Sequence, residues 1–342
     1  MKRLILLFSL SATFLFAQGP VPKNIILFIG DGMGPAQVTA GKIAKGTLEL
    51  ERCPVAALVT TWCANKLVTD SAAGGTALAT GFKTDKGMLS LSPDGIPLKT
   101  AAETAREKGK ATGLVVTCAL THATPAAFAA HVKHRNQTEE IAAQIASSGI
   151  DVLFGGGLDH FQPFLPELQE DRTVVTSAEE FRTLGEPERV AALLAPEHLP
   201  PAAEREIPLK EMTQKAIELL SRDPDGFFLM VEGSQIDWGG HQNDADYLIS
   251  EMVDFDDAVG AGLDFAERNS NTLVIVTADH ETGGFAILDG SLEKNTVTKT
   301  GFSTDYHSAG MVPLFAFGPG SSAVHGIIDN TDVGRTMIRF LK

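Results

Sequence analysis

The residues best suited to chemistry are acids and histidines in two short segments of the second half of the chain. The segment EGSQIDWGGH covers residues 232–241, and its Asp237 and His241 are four residues apart, so one helical turn would place both on one face. The segment TADHETGGF contains the adjacent Asp279 and His280, whose side chains would point in different directions and could serve two neighbouring ions. Aspartate and histidine are usual ligands of catalytic zinc. A metal site is one interpretation of these segments, and an ordinary surface loop is the other.

Three further residues with oxygen donors, two of them in other segments, favour the metal interpretation. Asp31 lies in FIGDGMG, Thr124 lies in THATP, and Glu232 begins the first segment above. Carboxylate and hydroxyl oxygens are hard donors of the kind that Mg²⁺ prefers. A cluster of metal ions about 3.5–4 Å apart is the usual device for in-line displacement at phosphorus. These residue types therefore indicate zinc and magnesium sites that would act on a phosphorus-containing substrate.

The candidate nucleophile is Ser71 in TDSAAGGTALATG, a run of small residues that predicts a helix packed closely against a sheet. Ser71 or Asp70 would be the N-cap of this helix, where backbone N–H groups attract anions, and Gly81 would be its C′ residue. The helix macrodipole contributes up to about 2 kcal/mol, whereas lowering the pKa of a hydroxyl to about 7 requires roughly 12 kcal/mol. Ser71 is therefore a credible nucleophile only in contact with a metal ion. It also lacks the G-x-S-x-G elbow of ordinary esterases.

Short apolar runs without polar alternation predict strands that are buried on both faces of a mostly parallel sheet. The candidate ligands stand at the ends of four such runs, at 24–29, 112–118, 227–231 and 272–278. Two more runs lie at 151–155 and 313–318, and helical patterns lie at 98–109, 138–149, 209–221 and 246–268. Ligands bind at the carboxyl edge of open α/β sheets, so four such endings favour one shared site. The predicted fold class is α/β, with a central mostly parallel sheet and helices on both faces.

The 342 residues predict one large α/β domain, 18–342, behind a secretory signal peptide at 1–17. The signal has a basic start and an apolar stretch that is too short for a comfortable membrane span. A retained membrane anchor is the alternative. With the signal removed, the mature protein would be periplasmic or secreted, with no membrane as partner. Prolines predict a peripheral insertion at about 156–207, and residues from about 287 to 306 predict a short hairpin excursion.

The formal net charge is −15, and removal of residues 1–17, which carry two basic residues and no acidic one, would leave −17. Such a surface does not attract nucleic acid or anionic lipid, so an anionic substrate must meet a local positive field at the site. The three cysteines, Cys53, Cys63 and Cys118, are too few for a disulfide framework or a zinc knuckle. Export would permit a Cys53–Cys63 bridge. Cys118 is expected to be buried and inert.

Six motifs in order make nearly the whole mature chain resemble the alkaline phosphatases, particularly the compact bacterial ones. These motifs are NIILFIGDGMG, TDSAAGGTALATG, THATPAAF, EGSQIDWGGH, TADHETGGF and HSAG. The resemblance implies hydrolysis of phosphate monoesters through a phosphoserine, with two zinc ions and one magnesium ion as cofactors and inorganic phosphate as product. It also implies a homodimer, and it makes the excursion near residues 287–306 a minimal crown.

The resemblance assigns a role to each candidate residue. Ser71 would be the phosphorylated nucleophile, and Arg135 would grip two phosphate oxygens with its fork of N–H donors. The metal ligands fall into three groups: Asp31, Asp279 and His280 for the zinc that activates Ser71; Asp237, His241 and His307 for the second zinc; and Thr124, Glu232 and the shared Asp31 for magnesium.

Two positions depart from the enterobacterial pattern of the family. That pattern has an aspartate where this chain has His122 and a lysine where it has Trp238. His122 could bind the third metal ion directly or orient a water molecule on it. Trp238 has no charge with which to bridge to phosphate, so we expect weaker phosphate binding and faster product release. Asp70, beside Ser71, is a further candidate next to the substrate.

Two other functions would use similar ligands. A phosphodiesterase or phosphonate hydrolase of the same superfamily would keep the metal ions but usually has threonine as the nucleophile. A non-catalytic periplasmic protein that binds zinc or phosphate would not need Ser71 at all. Replacing Ser71 with alanine separates an enzyme from a binding protein.

Overall fold

The computed structural model describes residues 21–342, and the expected signal peptide at 1–17 lies outside them. The strands are β1 (Asn24–Gly30), β2 (Val55–Thr60), β3 (Ala111–Ala119), β4 (Val152–Gly156), β5 (Thr173–Val175), β6 (Val190–Leu193), β7 (Phe227–Gly233), β8 (Thr272–Thr277), β9 (Glu281–Thr282), β10 (Ala286–Ser291), β11 (Thr296–Gly301), β12 (His307–Ser308), β13 (Val312–Phe317) and β14 (Gly326–Asp329). The α-helices are α1 (Pro35–Lys45), α2 (Ser71–Thr80), α3 (Ala101–Glu107), α4 (Ala123–Ala129), α5 (Thr138–Ser147), α6 (Leu158–Phe161), α7 (Leu165–Asp171), α8 (Ala178–Arg182), α9 (Leu209–Leu220), α10 (Ile236–His241), α11 (Ala245–Arg268) and α12 (Asn330–Leu341). Among residues 21–342, no helix combines the length and the apolar character that a membrane crossing requires.

A ten-stranded sheet forms the centre of the fold, in the order β14-β2-β13-β8-β1-β7-β3-β4-β6-β5. Every adjacent pair is parallel except the two pairs that β13 makes with β2 and β8. Every residue of β1, β7 and β8 is buried, as expected for strands covered on both faces. The predicted α/β class with a mostly parallel sheet is confirmed.

Two groups of helices flank the sheet. Helix α11 packs against α1, α9 and α10, whereas α2 packs against α3, α4 and α12. Helix α2 is buried along its whole length, which its small residues allow. It ends at Gly81, whose φ of 77° is the left-handed conformation that favours glycine at this position. Its N-cap is Asp70, which accepts a hydrogen bond from the Ala73 N–H, so Ser71 is the first residue of the helix.

The segment 156–207 extends the sheet at one edge, because it supplies β6 and β5 beyond β4. Its last part is fixed to α11 by Arg205, which pairs with Glu251 at 3.0 Å and with Asp254 at 2.5 Å. The segment near 287–306 contains the antiparallel hairpin β10–β11, which is a separate two-stranded sheet. The three cysteines are free thiols, so no Cys53–Cys63 bridge is formed.

Candidate active site

The candidate ligands meet at the carboxyl ends of β8, β1, β7 and β3, which are four consecutive neighbours in the sheet. In the register of these strands, Ile29 of β1 lies beside Glu232 of β7 and Thr277 of β8. Asp31 lies two residues after Ile29 in the sequence, and Asp279 lies two residues after Thr277. Ligands that are up to about 250 residues apart in sequence therefore share one edge of the sheet, as the strand pattern predicts.

The first ligand group consists of Asp31, Asp279 and His280, whose side chains are fully buried. His280 Nε2 lies 3.4 Å from Asp31 Oδ1 and 3.2 Å from Asp279 Oδ2. Asp279 Oδ1 accepts hydrogen bonds from the Gly32 and His280 backbone N–H groups, which fixes the carboxylate in place. Ser71 Oγ lies 3.2 Å from His280 Nε2, so the hydroxyl reaches the point on which this group converges.

The second ligand group consists of Asp237 and His241 on α10 and His307 on β12. Nδ1 of His241 faces the Asp305 carbonyl oxygen at 2.7 Å, and Nδ1 of His307 faces the Thr69 carbonyl oxygen at 2.9 Å. Both Nδ1 atoms must therefore carry the proton, which leaves a lone pair on each Nε2 of the neutral rings. The two Nε2 atoms are only 3.2 Å apart. The hydrogen bond with Asp237 raises the pKa of His241 to about 9, so either a proton or a metal ion between the two Nε2 atoms relieves the repulsion of their lone pairs.

The third group surrounds Glu232 at the end of β7. Thr124, on the first turn of α4, and His122, the N-cap of that helix, lie near it, together with Cys118 of β3. Cys118, His122 and Glu232 offer ligand atoms that all lie within 4.8 Å of one another. The sequence pattern predicts Thr124 and Glu232 here and leaves the role of His122 open. It does not predict Cys118 as a neighbour of these groups.

Unpaired buried atoms concentrate at the first and third groups. Among the described residues, buried side-chain oxygen and nitrogen atoms without a hydrogen-bond partner include both carboxylate oxygens of Asp31, Asp279 Oδ2, Glu232 Oε1, Thr124 Oγ1 and His122 Nδ1. A buried polar atom left unpaired costs about 1–3 kcal/mol, and more if it is charged. All of these atoms are donors to metal ions in their usual protonation states. The residues present therefore fit the metal ions that the sequence indicates.

The shifted pKa values of the buried acids and histidines favour the binding of cations at the site. Burial raises the pKa of Asp31 well above its ordinary value, and the nearby carboxylates add to the effect. Burial likewise raises the pKa of Asp279 to about 6 and that of Glu232 to about 7. Burial lowers the pKa of His280 to about 4 and that of His307 to about 3, so both rings are neutral at pH 7. Neutral imidazoles and crowded carboxylates are the state in which metal ions bind most readily.

Asp70 and Arg135 lie beside Ser71, the candidate nucleophile. Asp70 accepts hydrogen bonds from the Ala73 and Gly87 N–H groups. Arg135 donates to Asp70 through NH1 at 3.4 Å, and its NH2 lies 3.1 Å from His122 Nε2. The guanidinium of Arg135 is therefore held at the mouth of the site, within reach of an anion bound at Ser71.

Comparison with known proteins identifies the family. The sequence model of the alkaline phosphatase family matches residues 22–186 and 182–294. Alkaline phosphatase 3 of Bacillus subtilis is 33% identical, over 94% of this chain and 89% of its own length. The chain belongs to the alkaline phosphatase family. It is thus an enzyme of the class that hydrolyses phosphate monoesters, and the resemblance seen in the six motifs is confirmed.

Other relatives show the range of the family around this alkaline phosphatase. Streptomycin-6-phosphate phosphatase of Streptomyces griseus is 34% identical, over 94% of this chain and 91% of its own length. The solved alkaline phosphatase of the Antarctic bacterium TAB5 is 40% identical, with a TM-score of 0.89 over 95% of this chain and 99% of that chain. The alkaline phosphatase of Thermus thermophilus is 27% identical, with a TM-score of 0.85 over 94% of this chain and 92% of that chain.

The glycines of EGSQIDWGGH have a packing role in this alkaline phosphatase. A Cβ at Gly239 would lie 2.6 Å from backbone atoms of Leu248 on α11, and a Cβ at Gly240 would lie 2.8 Å from Thr282. Thr282 in turn donates a hydrogen bond to Asp237 Oδ1. Glycine at both positions lets α10 approach its neighbours closely enough to bring Asp237 and His241 to the edge of the sheet.

Aromatic rings line two sides of the site. Trp238 is partly buried, with its ring centroid 6.2 Å from that of His122 and 4.6 Å from that of His198. His307 stacks on His280 at 3.6 Å and on Tyr306 at 4.3 Å. Sequence reasoning does not single out Tyr306, although its position next to His307 in DYHSAG is a signal that could have done so. Trp238 therefore lies beside His122 of the third ligand group.

Proposed function

We propose that this enzyme hydrolyses phosphate monoesters through a phosphoserine at Ser71, with two zinc ions and a third divalent cation in the three ligand groups. The observation that carries the proposal is the position of the Ser71 hydroxyl, 3.2 Å from His280 Nε2 at the start of α2. Ser71 is 1% exposed, so its hydroxyl is not an ordinary surface group. The metal ions would be held as the family resemblance implies. For the third cation that resemblance implies magnesium, which variants of the Antarctic relative contain at a site called M3.

The bound cations would supply the positive charge that favours ionised Ser71 and the departing alcohol oxygen. Three divalent ions against the carboxylates of Asp31, Glu232, Asp237 and Asp279 leave a net charge of about +2. Arg135 raises this to about +3. A phosphate dianion is then attracted by a short-range field inside a strongly acidic protein.

The reaction consists of two displacements at phosphorus. Ser71 Oγ forms a bond to phosphorus while the bond from phosphorus to the alcohol oxygen breaks; the serine proton passes to solvent, and the departing alcohol oxygen takes up a proton from solvent. Water then forms the next bond to phosphorus while the Ser71 Oγ–P bond breaks; the water gives up a proton to solvent, Ser71 Oγ takes one up, and inorganic phosphate is released. Arg135 would turn its N–H donors from Asp70 and His122 onto two phosphate oxygens. Two in-line displacements give overall retention at phosphorus.

Replacement of Ser71 by alanine tests this proposal. We expect kcat for an aryl phosphate to fall by at least about 10³-fold, because the group that accepts the phosphoryl is removed, while zinc content and phosphate binding persist. Ser147→Ala, at an exposed position of α5, is the matched control. Acid-quenched wild type incubated with substrate should carry a phosphoryl group on Ser71, measured by mass spectrometry. A wild type that binds zinc and phosphate without turnover would instead support a binding protein, and faster hydrolysis of diesters than of monoesters would support the phosphodiesterase alternative.

We also propose that the chain is exported through residues 1–17 and acts as a homodimer in the periplasm or outside the cell. Support comes from the basic and apolar pattern of residues 1–17 and from the family resemblance. Expression of the full chain in a bacterial host, followed by mass measurement of the periplasmic product, tests the cleavage near Ala17. Sedimentation of that product tests the dimer.

A further inference from the structure

Cys118 is placed where a metal ligand of the third group would be. Its side chain is fully buried, and its Sγ lies 3.4 Å from Glu232 Oε2. Together with His122 it completes a set of sulfur, nitrogen and oxygen atoms that all lie within 4.8 Å of one another. A buried cysteine that only fills space would be expected among apolar groups, not against a buried acid.

The atoms around Cys118 lack partners. Glu232 Oε1 and Thr124 Oγ1 are buried without a hydrogen bond, and both side chains are 0% exposed. His122 Nδ1 is also without a partner, since its Nε2 is the atom that faces Arg135. These unpaired atoms are independent of the cysteine, and they indicate a cation in the space next to it.

The kind of donor selects the kind of ion. Magnesium takes oxygen ligands in nearly ideal octahedral geometry, and it usually keeps several water molecules. Zinc takes thiolate, imidazole and carboxylate ligands in a tetrahedral arrangement. A thiol in the set is therefore of no use to magnesium, whereas it adds a strong ligand for zinc.

We propose that Cys118 is a ligand of the third metal ion and that, with His122 and Glu232, it makes this site prefer zinc over magnesium. The proposal rests on the three-metal centre proposed above and deepens it, because it replaces the magnesium implied by the resemblance with zinc at this one site. Metal ions bind the thiolate, so one proton leaves Sγ for solvent when the ion enters.

Cobalt substitution gives a signal that does not depend on catalysis. The double variant Cys53→Ser and Cys63→Ser leaves Cys118 as the one thiol of the chain, which contains three cysteines. Loaded with Co²⁺, this double variant should show thiolate-to-cobalt charge-transfer absorption in the near ultraviolet. Further replacement of Cys118 by serine, which keeps the size but offers a hard oxygen, should abolish the band. Absence of the band in the double variant overturns the proposal, whatever the behaviour of the Cys118 variants.

Metal analysis provides the second readout. After equilibration with zinc and excess magnesium, C118S should contain about one zinc fewer and about one magnesium more per chain than wild type. Its zinc affinity at that site should fall roughly tenfold or more, as changes close to a metal typically do. Equal zinc and magnesium contents in wild type and C118S also overturn the proposal. Failure of the phosphatase mechanism would appear separately, as a double variant that shows the band while the wild type forms no phosphoserine.

Discussion

Replacing Gly74 by alanine should move α2, which begins with the proposed nucleophile Ser71, away from the proposed metal ligand Asp279. Gly74 lies in the first half of α2, three residues after Ser71, and faces the end of β8. A Cβ at this position would lie 2.8 Å from the carbonyl oxygen of Asp279 and 3.0 Å from its Cβ. Ordinary contacts begin near 3.4 Å, so α2 or the loop of Asp279 must shift by roughly 0.6 Å.

The free energies show why activity is the sensitive measurement. Alanine is favoured over glycine inside a helix by about 1 kcal/mol, while overpacking of a core costs about 1–3 kcal/mol. The two effects nearly offset, so we expect the free energy of unfolding to fall by no more than about 2 kcal/mol. A misplacement of about 1 Å in an active site lowers the rate about 10²-fold. A shift of roughly 0.6 Å between Ser71 and Asp279 should therefore lower kcat between roughly 10-fold and 100-fold.

Gly75→Ala is the matched control, because Gly75 is the next residue of the same buried helix. The nearest atoms to its Cβ would be Ala127 Cβ at 3.2 Å and Thr124 Cα at 3.4 Å, a contact that a small adjustment of α4 relieves. We expect kcat of this variant to stay within about threefold of wild type. The assay is steady-state release of an aryl alcohol from its phosphate ester, together with thermal unfolding and zinc content. Equal kcat values for the Gly74 and Gly75 variants would refute the steric reasoning.

The remaining predictions concern phosphate release, the edge of the sheet and pH. Trp238→Lys adds a cation beside the third ligand group and should tighten product inhibition by phosphate; an unchanged inhibition constant contradicts this. Arg205→Met leaves the buried Glu251 and the largely buried Asp254 without their partner and should lower the free energy of unfolding in urea by about 3–5 kcal/mol, with part of the loss recovered by adding Glu251→Leu. The hydrogen bond with Glu103 raises the pKa of His131. Burial alone would raise the pKa of Glu103, but the hydrogen bond with His131 contributes to a net lowering of that pKa. The His131→Asn substitution should therefore lower the free energy of unfolding most between pH 4.5 and 6.5, the ordinary pKa values of the two groups, and the decrease should become smaller at higher pH. A decrease that is the same from pH 5 to 9 would contradict the ion pair.

The central strands could be predicted from the sequence because burial on both faces leaves them continuously apolar. The run 24–29 falls within β1, and 227–231 falls within β7. Strand β2 is not among the predicted strands although residues 55–59, VAALV, are continuously apolar, because its two alanines have low strand propensity. Its side chains alternate between partly buried and exposed over four residues, unlike those of the central strands. The reversed direction of β13 was not predictable, since an apolar run such as 313–318 has the same composition in either direction. Strands β5 and β6 have only three and four residues. The proline-rich sequence around them therefore predicts surface structure and not strands of the sheet.

The ligands on strand ends could be predicted because their position follows from the strands alone. The neighbours of Cys118 could not, because Glu232 lies 114 residues away and the contact depends on the register of β3 and β7. The contact of Arg135 with Asp70 is similar, because it joins a loop after α4 to the N-cap of α2. The residue types of the site are therefore more predictable from the sequence than the residues that surround them.

The order of the strands also determines when the site can come into existence. Strands β8 and β7 lie on either side of β1, so the chain must be complete beyond residue 277 before β1 has both partners, and beyond His307 before the second ligand group is whole. No N-terminal fragment that stops short of His307 has all of the metal ligands. Pairing between such distant segments is slow, because the entropy cost of closing a long loop comes before any stabilising contact is formed. Cations held by these residues would therefore bind at the end of folding, and their binding free energy would stabilise the association of the last third of the chain with the first.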